Sequence, residues 1–172
     1  MKELISSNSV DVKSLNLIQI ILRSKFSDNI NQEINSIFKI DLPKENLKIN
    51  IRENIICSKS SFDQWNIIDL LGMSKNIDTN IDKLNRNKEV LVTNFSEGQS
   101  YFEISGENKV KILNKITHFD FRKKMFPNFT SAQTLIARVD CSIYNLENKF
   151  LITCNRSFGN YIEERLIDAV KY

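Results

Sequence analysis

Ser100-Tyr101-Phe102-Glu103-Ile104-Ser105-Gly106 opens the stretch that decides how this chain folds, and Ala132-Gln133-Thr134-Leu135-Ile136-Ala137-Arg138 closes it. Both runs are rich in branched and aromatic residues and read as strands. Between them lies a helical repeat in which Val110, Leu113 and Thr117, with Ile112 and Ile116 beside them, make a buried face. Lys109, Lys111 and Lys115 fall largely on the wet face. Ser105-Gly106 predicts a turn with a capping side chain, and Glu107 puts negative charge in the first helical turn, where the dipole favours it.

The loop that follows, Phe119-Asp120-Phe121-Arg122-Lys123-Lys124-Met125-Phe126-Pro127, continues to Phe129. Its rings match neither a helical stripe nor a simple strand. They either cover the local core or stay at the surface as anchors, since aromatic and arginine side chains are enriched at interface hot spots. Base stacking with phosphate contacts from Arg122-Lys123-Lys124 is a third option, but it lacks a broader basic face.

Working outward, Glu89–Phe95 and Ser100–Ser105 read as an antiparallel hairpin across Ser96-Glu97-Gly98-Gln99. Beyond Arg138, strands are expected over Cys141–Tyr144 and Lys149–Thr153. A final helix is expected to carry Phe158, Ile162, Leu166 and Ala169 as its stripe, with Asn160 and Glu163 at capping-box spacing and Ser157 as the alternative cap. Toward the amino terminus, residues 1–14 look polar and frayed, and Leu15–Leu22 reads as a strand. Ser27, Asp28 and Asn29 can cap a helix whose face is Ile30, Ile34, Ile37 and Phe38. Pro43 closes that unit. Strands at 47–51 and 54–58, the run around Trp65, and a short helix through Ile77, Ile81 and Leu84 complete the first half. The expected architecture is α+β, with two small lobes of antiparallel sheet and packed helices, residues 1–87 and 88–172.

Composition limits the function. With 41% apolar and 26% charged residues the 172-residue chain is an ordinary globular protein, and a net charge of +3 argues against nucleic acid as a partner. No apolar run is long enough for a membrane span, and the amino terminus has no signal-peptide core, so a cytoplasmic protein is expected. Cys57, Cys141 and Cys154 lie far apart in strand-like runs, and His118 is the only histidine. That set predicts buried reduced thiols rather than a metal site. No nucleophile motif accompanies His118, and no Gly-rich phosphate loop is present among four glycines. The residues themselves point to a subunit or binding module without a catalytic set.

Phe102-Glu103-Ile104-Ser105-Gly106, Ile112-Leu113, Phe119-Asp120-Phe121, Met125-Phe126-Pro127, Ala132 to Arg138, and Arg156-Ser157-Phe158 with Tyr161 carry a family pattern in order and spacing. On these residues the chain resembles the gamma subunit of heterotetrameric sarcosine oxidase. Phe62-Asp63-Gln64-Trp65 extends the likeness into the first half, where the family has an Asp-Glu-Trp-like segment. Thr117-His118, Arg122-Lys123 and Ser131 depart from it, standing where the family often has Cys-Pro, His-Pro and Cys.

The resemblance implies the folate-binding-domain fold of aminomethyltransferases. It also implies a non-catalytic subunit that supports assembly with alpha, beta and delta subunits. FAD, FMN, NAD and tetrahydrofolate belong to the partner chains and none to this one. The complex implied demethylates sarcosine to glycine, with one-carbon transfer to tetrahydrofolate. A related complex acting on dimethylglycine or N-methylglutamate, or a free-standing folate- or RNA-binding module, remains open at this point. Candidate interface residues are Phe119, Asp120, Phe121, Arg122, Phe126, Gln133, Arg138, Arg156 and Phe158. Among them Phe121 and Phe126 are expected anchors, Asp120 and Arg138 fix the loop through charge-assisted bonds, and Gln133 satisfies local backbone groups.

Overall fold

A computed structural model describes residues 1–7, 9–72 and 75–172. It is α+β, as expected, and divides into two compact units: residues 1–16 with 97–172, and residues 17–96. The division differs from a cut near residue 87 for a definite reason. The amino-terminal segment forms strands β1 (Lys2–Ser7) and β2 (Val10–Leu15). β2 then pairs with a strand nearly ninety positions later, Val12 lying opposite Ile104 and Ser14 opposite Phe102. Residues 1–14 are therefore strand rather than frayed chain, although Asn8 lies outside the described residues. Val10 and Val12 are buried, while the rest of that hairpin gives little apolar signal of its own.

The second unit begins with β3 (Ile18–Arg23), so the expected strand over 15–22 is divided between two sheets. Helix α1 (Asp28–Phe38) forms where the sequence places it. The Ser27 side chain accepts from the Ile30 N–H at 3.2 Å, and Ile30, Ile34 and Phe38 face inward. Strands β4 (Ile49–Arg52), β5 (Ile55–Ser61) and β6 (Gln64–Asp69), helix α2 (Ile77–Leu84) and strand β7 (Leu91–Asn94) follow. The five-stranded sheet runs β4-β5-β6-β3-β7. Trp65 is completely buried in its core and donates its indole N–H to the Pro43 carbonyl at 2.9 Å, which satisfies the one polar group on the ring.

The first unit resumes with β8 (Gln99–Ser105), short helix α3 (Lys109–Leu113), β9 (Thr130–Ile136), β10 (Val139–Asn145), β11 (Lys149–Asn155) and helix α4 (Gly159–Lys171). Its six-stranded sheet runs β1-β2-β8-β11-β10-β9. The expected β7–β8 hairpin does not form. β7 pairs with β3, and β8 takes β2 and β11 as neighbours, so the short link at 96–98 joins two sheets. Phe102 and Ile104 from β8, Phe150 and Ile152 from β11, Ile143 from β10, and Ile162 and Leu166 from α4 share one core.

Local details also differ from expectation. Asn108, not Ser105, stands at the N-cap of α3, and its side chain makes no capping bond. The turn before α4 is capped by Asn155, which accepts from the Ser157 N–H. Neither Asn160 nor Ser157 caps α4. Phe158 lies outside the α4 stripe and is half exposed. No helix among the described residues is long and apolar enough to cross a membrane.

Gly106 makes the turn from β8 to α3. Its φ of +101° is one that side-chain-bearing residues rarely adopt, and a Cβ there would stand 2.3 Å from the Ser9 carbonyl oxygen. Gly106→Ala is expected to lower stability by about 2–3 kcal/mol, read as a drop in the thermal or urea midpoint of the purified chain.

Candidate functional site

The candidate site is built on the loop between α3 and β9 and on the hairpin that follows. Inside the loop the rings pack on one another. The Phe119 ring meets those of Phe121 and Phe126 edge-on, each at 5.0 Å, and the latter two lean on Phe150 of β11 at 5.4 and 5.9 Å. Edge-to-face pairs of this kind add about 0.5–1.5 kcal/mol each beyond simple burial.

Phe121 and Phe126 are 8% and 2% exposed. Their rings fill the chain's own core and are not anchors waiting for a partner. Of the alternatives open in the sequence, core cover is the one that forms. Phe119 is half-buried, and Phe129 keeps much of its ring in water.

Polar groups complete the loop's hold. The Asn145 side chain, at the end of β10, donates to the carbonyls of Phe126 and Pro127 at 3.0 and 3.2 Å, and the Asn145 backbone carbonyl accepts from the Phe129 N–H. Thr130 Oγ1 donates to the Pro127 carbonyl. Asp120 bonds Arg122, through the backbone N–H and through the guanidinium Nε at 2.9 Å, and does not reach Arg138. These bonds from Arg122 hold the Asp120 carboxyl below the usual carboxylate range. Arg138 is exposed and has no ion pair or side-chain hydrogen bond among the described residues. The Gln133 side chain is likewise exposed rather than engaged with backbone groups.

At the hairpin tip Ala137 and Arg138 both have positive φ, 48° and 70°, and link Ile136 to its partner Val139. Such a turn favours Asn or Gly, so the surroundings must hold it. They do so from two sides. The Ala137 N–H donates to the Ile116 carbonyl at 2.7 Å, and the Tyr161 hydroxyl donates to the Ala137 carbonyl at 3.2 Å. Thr117 Oγ1 donates to the Leu135 carbonyl at 2.6 Å, occupying an outward-facing acceptor of edge strand β9.

An open groove of about 860 Å³ runs beside this tip, lined by Thr117, Phe119, Met125, Leu135, Arg138 and Tyr161 among others. Leu135 and Met125 are 53% and 61% exposed. Arg156 pairs with Glu97 at 2.9 Å, and Phe158 next to it projects outward.

Phe119, Asp120 and Arg138 thus meet at the groove, while Arg156 and Phe158 lie at the head of α4 and line no part of it. Leu135 and Tyr161 were in the quoted motifs but carried no signal of exposure. Asn145 lies in the gap between the strands expected over Cys141–Tyr144 and Lys149–Thr153, and its service to the loop is invisible without the pairing of β9 with β10. Among the described residues, no three His, Cys, Asp or Glu side chains gather where they could hold a metal ion.

The sequence profile of the sarcosine oxidase, gamma subunit family matches residues 36–171. Among solved structures, a chain of heterotetrameric sarcosine oxidase from Corynebacterium sp. U-96 superposes with a TM-score of 0.82 at 16% identity, covering 98% of this chain and 87% of that one. Aminomethyltransferase T of the glycine cleavage system from Bartonella henselae gives 0.63 at 10% identity, over 92% of this chain and 45% of its own. The regulatory subunit of aspartate kinase from Thermus thermophilus gives 0.54 at 9% identity, over 95% and 99%. At these identities the likeness is one of fold, and it is the aminomethyltransferase-like fold that the family resemblance implied. No curated protein sequence matches the chain significantly.

Two outcomes follow from the loop's construction. Phe126→Ala should destabilise the isolated chain by about 3–5 kcal/mol in chemical unfolding, because it empties a core position. Arg122→Ala should let the Asp120 carboxyl titrate at higher pH, followed by carboxyl NMR. A depressed carboxyl favours folding above its unfolded pKa and loses that effect as pH falls through the folded one. Because Asp120 is solvent-exposed in its pairing with Arg122, the unfolding midpoint should hardly move.

Proposed function

Because the chain belongs to the sarcosine oxidase, gamma subunit family, we propose that it is the non-catalytic gamma subunit of a heterotetrameric sarcosine oxidase and assembles with alpha, beta and delta chains. In this role it carries no cofactor. FAD, FMN, NAD and tetrahydrofolate are held by the partner chains, where sarcosine is demethylated to glycine. The observation that carries the proposal is the family match over most of the chain, and the surface around the hairpin tip supplies a contact.

There the loop's buried rings act as a rigid floor. The exposed apolar side chains of Leu135, Met125 and Tyr161 lie above it, with Arg138 free to pair with an acceptor on the partner. Preformed apolar groups beside an unengaged arginine suit a docking surface, since little conformational freedom is lost on binding. Phe158 and Arg156 extend the contact along the start of α4.

Co-expression with the three partner chains and affinity capture through a tag on this chain tests the assignment. Leu135→Asp with Met125→Asp, both at exposed positions, should leave folding intact and reduce recovery of the partners at least tenfold. Phe62→Asp, at a 77% exposed position in residues 17–96, serves as the control and should leave recovery unchanged. Undiminished recovery with the double variant would remove this surface from the interface. Recovery of no partner by the wild-type chain would overturn the subunit assignment itself.

A further inference from the structure

Cys141 and Cys154 lie directly opposite one another on β10 and β11. The Leu146 N–H donates to the Lys149 carbonyl at 2.9 Å, which marks that pair as hydrogen-bonded. Alternation along the ladder then places Cys141 and Cys154 at a non-hydrogen-bonded pair. The Cα atoms of such pairs stand about 4.5 Å apart with side chains on the same face, within the ~4.4–6.8 Å that a disulfide spans. The two sulfurs are separate thiols in the structure.

Their shared environment differentiates them. The Cys141 thiol, hydrogen-bonded to the Cys154 sulfur, pulls Cys154 below the ordinary thiol range, whereas the same bond together with burial pushes Cys141 up. Of the two sulfurs, Cys154 is the one whose deprotonation its neighbour eases. Both cysteines are nearly buried in the apolar core of that unit, 4% and 2% exposed, and both residues also line an open cleft of about 530 Å³ together with Gln99, Gln133 and Thr153. Cys57, also buried, differs in having no cysteine opposite it. It faces Ile67 and Asn50 across its strands, and complete burial pushes its thiol up.

We propose that Cys141 and Cys154 form a hydroperoxide-reactive pair that closes into a reversible cross-strand disulfide. The Cys154 thiolate attacks one peroxide oxygen, the O–O bond breaks, and the other oxygen leaves as water after protonation. Cys154 becomes a sulfenic acid. The Cys141 sulfur then attacks the Cys154 sulfur, the S–S bond forms, the S–O bond breaks, and a second water departs with the Cys141 proton. Two thiols are oxidised and one hydrogen peroxide is reduced to two waters. A dithiol reductant restores both thiols. The inference stands apart from the assembly role and does not depend on it.

The test treats the full chain with hydrogen peroxide, denatures it, counts thiols, and maps them by mass spectrometry after trypsin. The count should fall from three to one, with Cys141 and Cys154 joined within one chain and Cys57 reduced, and dithiothreitol should restore three. The two cysteines fall on separate tryptic peptides because Lys149 lies between them. In Cys141→Ser the sulfenic acid at Cys154 should persist long enough to be trapped by dimedone, and Cys57→Ser should still form the link. Three free thiols after treatment, loss of Cys57 first, or links only between chains would overturn the proposal. The wild-type count decides the matter even if the Cys141 variant does not fold.

Discussion

The structure of residues 1–16 and 97–172 depends on strand β8 being paired along both edges. Phe102 has Ser14 across one ladder and Ile152 across the other, while its side chain enters the core. An isolated two-stranded hairpin is marginal in water, so β1–β2 owes its stability to docking on β8. Gly106 ends the strand in a conformation that lets the chain pass within van der Waals distance of the Ser9 backbone before α3 begins. From there α3 and α4 can cover the same face of the sheet, with Leu113, Ile162 and Leu166 fully buried.

That frame makes the aromatic loop rigid. Phe150, on the neighbouring strand β11, receives Phe121 and Phe126 from below, and Asn145 ties down the carbonyls that a loop would otherwise leave to water. The consequence for function is a separation of roles along a short segment. The large rings stabilise the loop, while the side chains presented outward are Met125 of the loop, Leu135 of the edge strand, Arg138 of its turn and residues at the head of α4. The strained turn at Ala137–Arg138 fits the same scheme. Tyr161 and Ile116 hold it in place, and this fixes where Leu135 and Arg138 project.

Elements governed by local periodicity were legible in the sequence. The α1 stripe with its Ser27 cap, the short α2, and the runs that became β10 and β11 appear where residue spacing placed them, while the strand expected over Ala132–Arg138 ends at Ile136 and turns at Ala137 and Arg138. Pairing was not legible, because it rests on partners far away in the chain. Lys2–Ser7 carries too few apolar residues to announce a strand, and only β8 makes one of its neighbour β2. Ser96-Glu97-Gly98 has the composition of a hairpin turn but serves as a passage between sheets. For the candidate site, the motif that signalled the family was readable, whereas the direction of each ring was not. Irregular spacing of Phe119, Phe121 and Phe126 allows either core or surface, and Phe150, the ring that decides it, comes from another element.

In the proposed role this chain is a structural member of a larger flavoprotein assembly. Native mass spectrometry of the material purified after co-expression of this chain with its three proposed partners tests it most directly. One species containing all four chains is expected, with flavin present in it and absent from this chain when purified alone. A flavin-containing complex of the other three that forms equally well without this chain, leaving it to elute by itself, would contradict the claim.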